Sequence, residues 1–200
     1  PAMSQGKTIF VRRESLRRML WEKIEEWNWN KPVNAMQTAL GCYDFESDAA
    51  ASLDAMTDNE VQSVILHEIG EVMASEHLGE EWETMLSELP HSKAEIMVRA
   101  VRDHLADALS TLPGLLQREN AASLHFYMGN MANMRKQLFP ELVAAYETWA
   151  ATGDSRDIER LVPRSETHWL ALAEQMLDVY RSQGSDCQST LVELVEANTL

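Results

Sequence analysis

Residues 57–79 read TDNEVQSVILHEIGEVMASEHLG, and their spacing decides the fold class. Val61, Val64, Ile65 and Val72 recur along one face of a helix turning about 100° per residue. Thr57, with Glu60 three positions on, has the form of a capping box, in which the two side chains satisfy the first free backbone N–H groups. Gly79 is suited to end such a helix. The stretch therefore predicts a helix over 58–78. On it, Glu68 falls within the apolar face, and His67 and Glu71, four positions apart, lie on one edge. A charged group among apolar side chains is costly unless a partner or a metal ion offsets it. The same residues that predict the helix thus also mark a candidate site.

The helical period extends in both directions. Upstream, residues 8–29 place Phe10, Leu16, Met19, Leu20, Ile24 and Trp27 on one stripe, which Lys31-Pro32 ends. A short helix is expected over 33–40, then a polar irregular stretch, GCYDFESD, over 41–48. Downstream, Ser92 and Glu95 form a second capping box, opening a helix that runs to Leu112 and stops at Pro113-Gly114. Further helices are expected over 119–139, 140–151 (closed by Thr152-Gly153), 155–162, 165–183 and 190–198. No stretch alternates with a period of two between turn residues, so no strand is expected. The fold class is all-α, a helical bundle of six to eight helices with four long ones in the core. At 200 residues a single domain over 1–200 is expected. Within it, 8–56 form an N-terminal helical region, 57–139 the site-bearing helices and 140–198 the C-terminal helices.

Charge narrows the partners. The chain carries 17 Lys+Arg against 32 Asp+Glu, a net charge of −15. Such a surface repels nucleic acid and anionic membranes, and it leaves small-molecule substrates, cations, basic partners and a homo-oligomer open. No apolar run reaches the roughly 18 residues needed to span a membrane. Cys42 and Cys187 are far apart in the sequence and imply no disulfide framework, so a cytoplasmic location is expected. Met128, Met131 and Met134 share a helical stripe with Leu124 and Leu138 and read as core filler. Gly70 and Gly129 interrupt helices and are expected to let a neighbouring helix or a ligand approach closely.

The helix opened by Ser92 repeats the pattern of the first stretch. Val98, Val101, Leu105, Ala108 and Leu112 form its stripe, and His104 and Asp107 flank it, with Asp103 on the side of Asp107. Helical bundles build metal sites from such inward side chains on facing helices. His67, Glu71, His104 and Asp107 are the expected ligands. Glu68 and Asp103 would orient or replace them, and His125 on a later helix offers a further donor. Imidazole with carboxylate suits Fe, Mn or Zn better than Mg or Ca. Two Fe or Mn ions would support oxygen-dependent redox chemistry, and one Zn or Mn would activate water for hydrolysis. The alternative is that these groups pair with one another without a metal. His77 and His91 fall at helix ends, and His168 lies beside Trp169. His-Glu-x-x-Glu lacks the second His of the zinc protease motif, and neither a phosphate-binding glycine loop nor a triad spacing is present.

Two resemblances bear on this choice. LHEIGEVMASEHLG (66–79), RDHLADALSTL (102–112) and NMRK (133–136) resemble the all-α nucleoside triphosphate pyrophosphohydrolases of the MazG type. That resemblance implies Mg held by Glu68, Glu71 and Asp107, with Asn133 and Lys136 facing the nucleotide. His67 and His104 stand where that family carries Glu, and residues 140–200 lie outside the likeness. Separately, Asp103-His104-Leu105 in an acidic helical chain of this length resembles the TorD-like chaperones of molybdenum enzymes. That resemblance implies a metal-free binding protein.

Overall fold

A computed structural model describes residues 1–5, 8–118 and 120–200. Helices occupy 81% of the described residues, so the all-α reading holds. The chain forms two compact units, Pro1–Ile69 with Gly114–Met131, and Gly70–Pro113 with Ala132–Leu200.

The first unit opens with a feature the helical period hides. Strands β1 (Ala2–Gln5) and β2 (Thr8–Val11) pair antiparallel, with Met3 opposite Phe10. The helix expected from residue 8 begins instead as α1, Arg13–Asn30. Thr8, Ile9, Phe10 and Val11 are β-branched or aromatic and favour a pleated strand. Phe10 is accordingly half exposed rather than part of the α1 stripe. Leu16, Leu20 and Ile24 are buried as that stripe requires. Lys31 closes α1 in the left-handed region (φ 43°), its N–H donating to the Trp27 carbonyl at 2.8 Å. The short helix α2 (Ala35–Leu40) is capped by Asn34, whose side chain accepts the Gln37 N–H at 3.1 Å.

Helix α3 spans Ala49–Glu88 and corrects the first capping box. Asp48 opens the helix by accepting the Ala51 N–H at 3.0 Å. Thr57 lies inside it, buried, and its hydroxyl donates back to the Leu53 carbonyl at 2.6 Å. Threonine satisfies itself this way in helix interiors, which leaves Glu60 without a capping role. Gly79 breaks the helix where expected, with φ 71° and ψ −176°. The part of α3 up to Ile69 belongs to the first unit and the rest to the second.

Ser92 caps α4 (Lys93–Ala106) as expected, accepting the Glu95 N–H at 3.4 Å. Val98, Val101, Leu105, Ala108 and Leu112 are all buried. The stop expected at Pro113-Gly114 does not occur. Residues Asp107–Thr111 form a π-helical turn, in which the Leu112 N–H donates to the Asp107 carbonyl, and α5 (Leu112–Gln117) carries on through the proline. Proline lacks an N–H and crowds the carbonyl four residues back, and the wider turn just before it shifts that carbonyl register.

The single helix expected over 119–139 is two, α6 (Ala121–Asn130) and α7 (Asn133–Leu138), separated by extended Met131 and Ala132. Gly129 and Asn130 are weak helix formers and end α6 early; Glu119 lies outside the described residues. In the first unit α2 lies along α6, where a Cβ on Gly129 would stand 2.7 Å from the Met36 backbone nitrogen. Leu16, Leu20, Met36, Leu53, Met56 and Phe126 form the core of this unit.

In the second unit, α8 (Pro140–Thr152) has Pro at its first position and ends at Gly153 (φ 77°), as expected. Helix α9 (Arg156–Gln183) runs unbroken through Pro163, where two helices were expected. Its buried residues Ile158, Leu161, Ser165, Trp169, Leu172 and Met176 stay in phase across the proline, so packing outweighs the lost hydrogen bond. Helix α10 (Gln188–Glu196) packs with α4 and α9, and α8 packs on α9. Among the described residues, no helix is long and apolar enough to cross a membrane. Both cysteines are free thiols.

Candidate functional site

The second unit holds a buried polar cluster built on α4, the π turn and α7. His104, on the inward face of α4, and Asp107, at the start of the π turn, are each 1% exposed. Helical spacing turns both to one side. Arg135 of α7 meets them there. Its Nη2 donates to the Asp107 carboxylate and lies 3.2 Å from Nδ1 of His104. The carbonyl of Arg135 lies 3.1 Å from Nε2 of His104. A neutral ring with its proton on Nε2 satisfies both contacts, accepting the guanidinium N–H at Nδ1 and donating to the carbonyl.

Aromatic side chains close the cluster. The His104 ring stacks on the Trp169 indole at 4.7 Å and 16°, and Phe139 meets it edge-on at 5.4 Å. Burial, and then the Arg135 charge, lower the His104 pKa to about 3, with the Asp107 charge opposing them. His104 is therefore neutral near pH 7. Asp107, buried, is paired with the guanidinium of Arg135.

Glu71 is also met by an arginine. Nη2 of Arg102 on α4 lies 3.2 Å from its carboxylate, while Nη1 of the same side chain lies 3.5 Å from Glu83. Asp103 stands 4.0 Å from Arg102 Nη2. Beside these pairs, α3 and α4 touch backbone to backbone, since a Cβ on Gly70 would stand 2.2 Å from the Ala106 carbonyl oxygen. The close approach expected at Gly70 is thus the seat of a neighbouring helix, one residue before Asp107.

His67, Glu68 and His125 belong to the first unit. Glu68 and His125 are buried and His67 is half-buried. Burial lowers the His125 pKa. A further carboxylate is buried here, Glu60, at 2% exposure. The Ser123 hydroxyl on α6 donates to it at 2.8 Å. Burial raises its pKa, and the Ser123 hydrogen bond opposes that shift. Glu60 is thus a buried inter-helix acceptor.

The structure brings His104 and Asp107 together around Arg135, and Glu71 and Asp103 around Arg102. Within either unit, among the described residues, no three His, Cys, Asp or Glu side chains gather so as to hold a metal ion. Arg102, Arg135, Phe139 and Trp169 escaped the sequence reading. Arg102 adjoins Asp103 in RDHLAD and Arg135 falls inside NMRK, but neither spacing shows which acid it meets. Asn133 and Lys136, the nucleotide-facing pair implied by the MazG resemblance, line a surface depression of about 390 Å³ with Gln137, Pro140, Val143 and Glu147. His77 and His91 are exposed, and His91 lies 3.2 Å from Glu95. His168 meets the Asn198 carbonyl at 2.9 Å.

A family model, described as the C-terminal domain of DUF6866, a family of unknown function, matches residues 17–198. Neither a curated protein nor a solved structure matches the chain.

Proposed function

We propose that this chain, which belongs to the DUF6866 C-terminal-domain family, is a metal-free helical module that acts by binding. His104, Asp107 and Glu71 serve as joints clamped by arginine. The observation that carries this reading is the Arg135 clamp. Both nitrogens of His104 are engaged by one residue, the guanidinium at Nδ1 and the carbonyl at Nε2. For His104 and Asp107 to ligate Fe, Mn or Zn, the ring would have to give up one of these contacts and Asp107 would have to share its charge with the metal. Arg135 would then lie buried beside a cation, which is unfavourable at short range. Glu71, held by Arg102, supports the same reading.

Elemental analysis of protein purified without added metal tests it, together with melting in the presence of a chelator. The expected outcome is no stoichiometric Fe, Mn or Zn and an unchanged melting temperature with EDTA. Stoichiometric metal that disappears in the His67→Ala/His104→Ala double variant would overturn the proposal in favour of a metal enzyme. Mg-dependent release of pyrophosphate from nucleotides would overturn it in favour of the MazG-like hydrolase.

A further inference from the structure

We propose that the outward face of α1 is the docking surface of this module and that its partner presents a cationic helix. The inference rests on the binding reading above and names the surface and the partner chemistry. Helix α1 turns Leu16, Leu20 and Ile24 into the core of the first unit. A separate row, Trp21, Glu25 and Trp29, advances in steps of four along the helix, and beside it run Glu22, Glu26 and Asn30. These residues line a surface depression of about 480 Å³. Trp21 is 44% exposed and Trp29 is 85% exposed. By contrast Trp27, on the side of Leu20 and Ile24, donates its indole N–H to the Pro32 carbonyl at 3.0 Å and packs against the core. The indoles of Trp21 and Trp29 instead stand at the surface.

Charge selects the occupant. Three carboxylates line the depression, with no Lys or Arg among its lining residues. Arg18 and Lys23 reach Glu22 and Glu26 at 2.9 and 3.1 Å, as exposed pairs that exchange readily for another cation. Indole faces attract guanidinium and ammonium groups, and the carboxylates supply the counter-charge. Arginines or lysines four residues apart on an approaching helix would match the four-residue steps of the two rows. The net charge of −15 steers such a partner inward and repels nucleic acid or an anionic membrane. A second copy of the chain would set three glutamates against three, so self-association through this face is disfavoured.

The test titrates the full chain with a synthetic amphipathic helical peptide carrying arginine at every fourth position, followed by calorimetry and tryptophan fluorescence. The expected result is saturable one-to-one binding that weakens with salt. Trp21→Ala/Trp29→Ala should weaken it by about tenfold or more, and so should Glu22→Gln/Glu25→Gln/Glu26→Gln. Trp29→Ala alone, at the more exposed of the two indoles, should also weaken binding without disturbing the fold. A charge-matched control, Glu46→Gln/Glu76→Gln/Glu80→Gln, should bind nearly as the parent does. An equal loss in that control would show overall charge at work rather than a built surface, and would overturn the proposal. So would no binding to the parent, or a dimer in sedimentation that Trp29→Ala dissolves. Failure of the peptide to bind a metal-free chain would refute this surface alone; stoichiometric metal would refute the binding reading itself.

Discussion

Replacing Arg135 with methionine removes the guanidinium and keeps the bulk of an unbranched side chain. The loss has two parts. Asp107, at 1% exposure, loses the cation opposite it. Breaking a buried ion pair from one side costs about 3–5 kcal/mol. His104 loses a hydrogen bond at Nδ1 but keeps the backbone carbonyl at Nε2, which adds about 1 kcal/mol. The sum, about 4–6 kcal/mol, is a large part of the 5–15 kcal/mol typical of a domain. At about 2–4 °C per kcal/mol, the melting temperature should fall by roughly 10–20 °C. Circular dichroism melts and urea titrations read this directly. Adding Asp107→Asn should recover at least about 1 kcal/mol, because the double variant buries no uncompensated charge. If Arg135→Met costs less than about 1 kcal/mol, or if Asp107→Asn adds to the damage, Arg135 is not what balances Asp107, and the clamp is refuted.

Three further outcomes follow from the same geometry. The His104 pKa falls from its usual 6.5 to about 3 on folding, so below pH 6.5 the unfolded chain binds a proton that the folded chain does not. The stability that neutral His104 contributes is therefore complete above about pH 6.5 and declines by about 1.4 kcal/mol per pH unit on acidification towards pH 3. Urea titrations at pH 7 and pH 5 should show the parent losing about 2 kcal/mol more than His104→Gln, and an equal loss would mean that the ring is not kept neutral. Gly70→Ala and Gly129→Ala put a methyl 2.2 Å from the Ala106 carbonyl oxygen and 2.7 Å from the Met36 nitrogen. Each should destabilise by about 1–3 kcal/mol in thermal melts, the larger loss falling at Gly70; a neutral Gly70→Ala would contradict the close α3–α4 approach. The Glu60 pKa is raised by burial, so its ionised form costs stability at neutral pH and that cost disappears as the carboxyl protonates. Glu60→Gln should therefore stabilise the chain at pH 7 and have little effect in acid, while a destabilisation at pH 7 would show that the Ser123 bond needs the charge.

The features legible in the sequence were those with a local cause. The apolar stripe of α4, the Ser92 cap and the ends at Lys31, Gly79 and Gly153 each depend on residues within a turn or two. Thr57 misled because a buried threonine bonding to its own helix has the same spacing as a cap. Pro113 and Pro163 misled because a π turn in one case and continuous packing in the other absorbed the missing N–H. The polar cluster was half legible. Burial marked His104 and Asp107, but the groups that answer their cost lie 28 residues from Asp107 and, for Glu71, 31 residues away. Helical spacing reports nothing at that range. The sequence posed a choice between a metal and the acids and histidines themselves, and in the second unit the structure supplies arginine.

The imidazole of His104 gives the most direct test. In long-range ¹H–¹⁵N spectra near pH 6, the arginine clamp predicts a neutral ring protonated at Nε2, with Nδ1 shifted as a hydrogen-bond acceptor. One equivalent of Mn²⁺ should leave these signals unchanged. A ring that titrates near pH 6.5, or His104 signals selectively broadened by Mn²⁺, would contradict the clamp and return His104 to the role of a metal ligand.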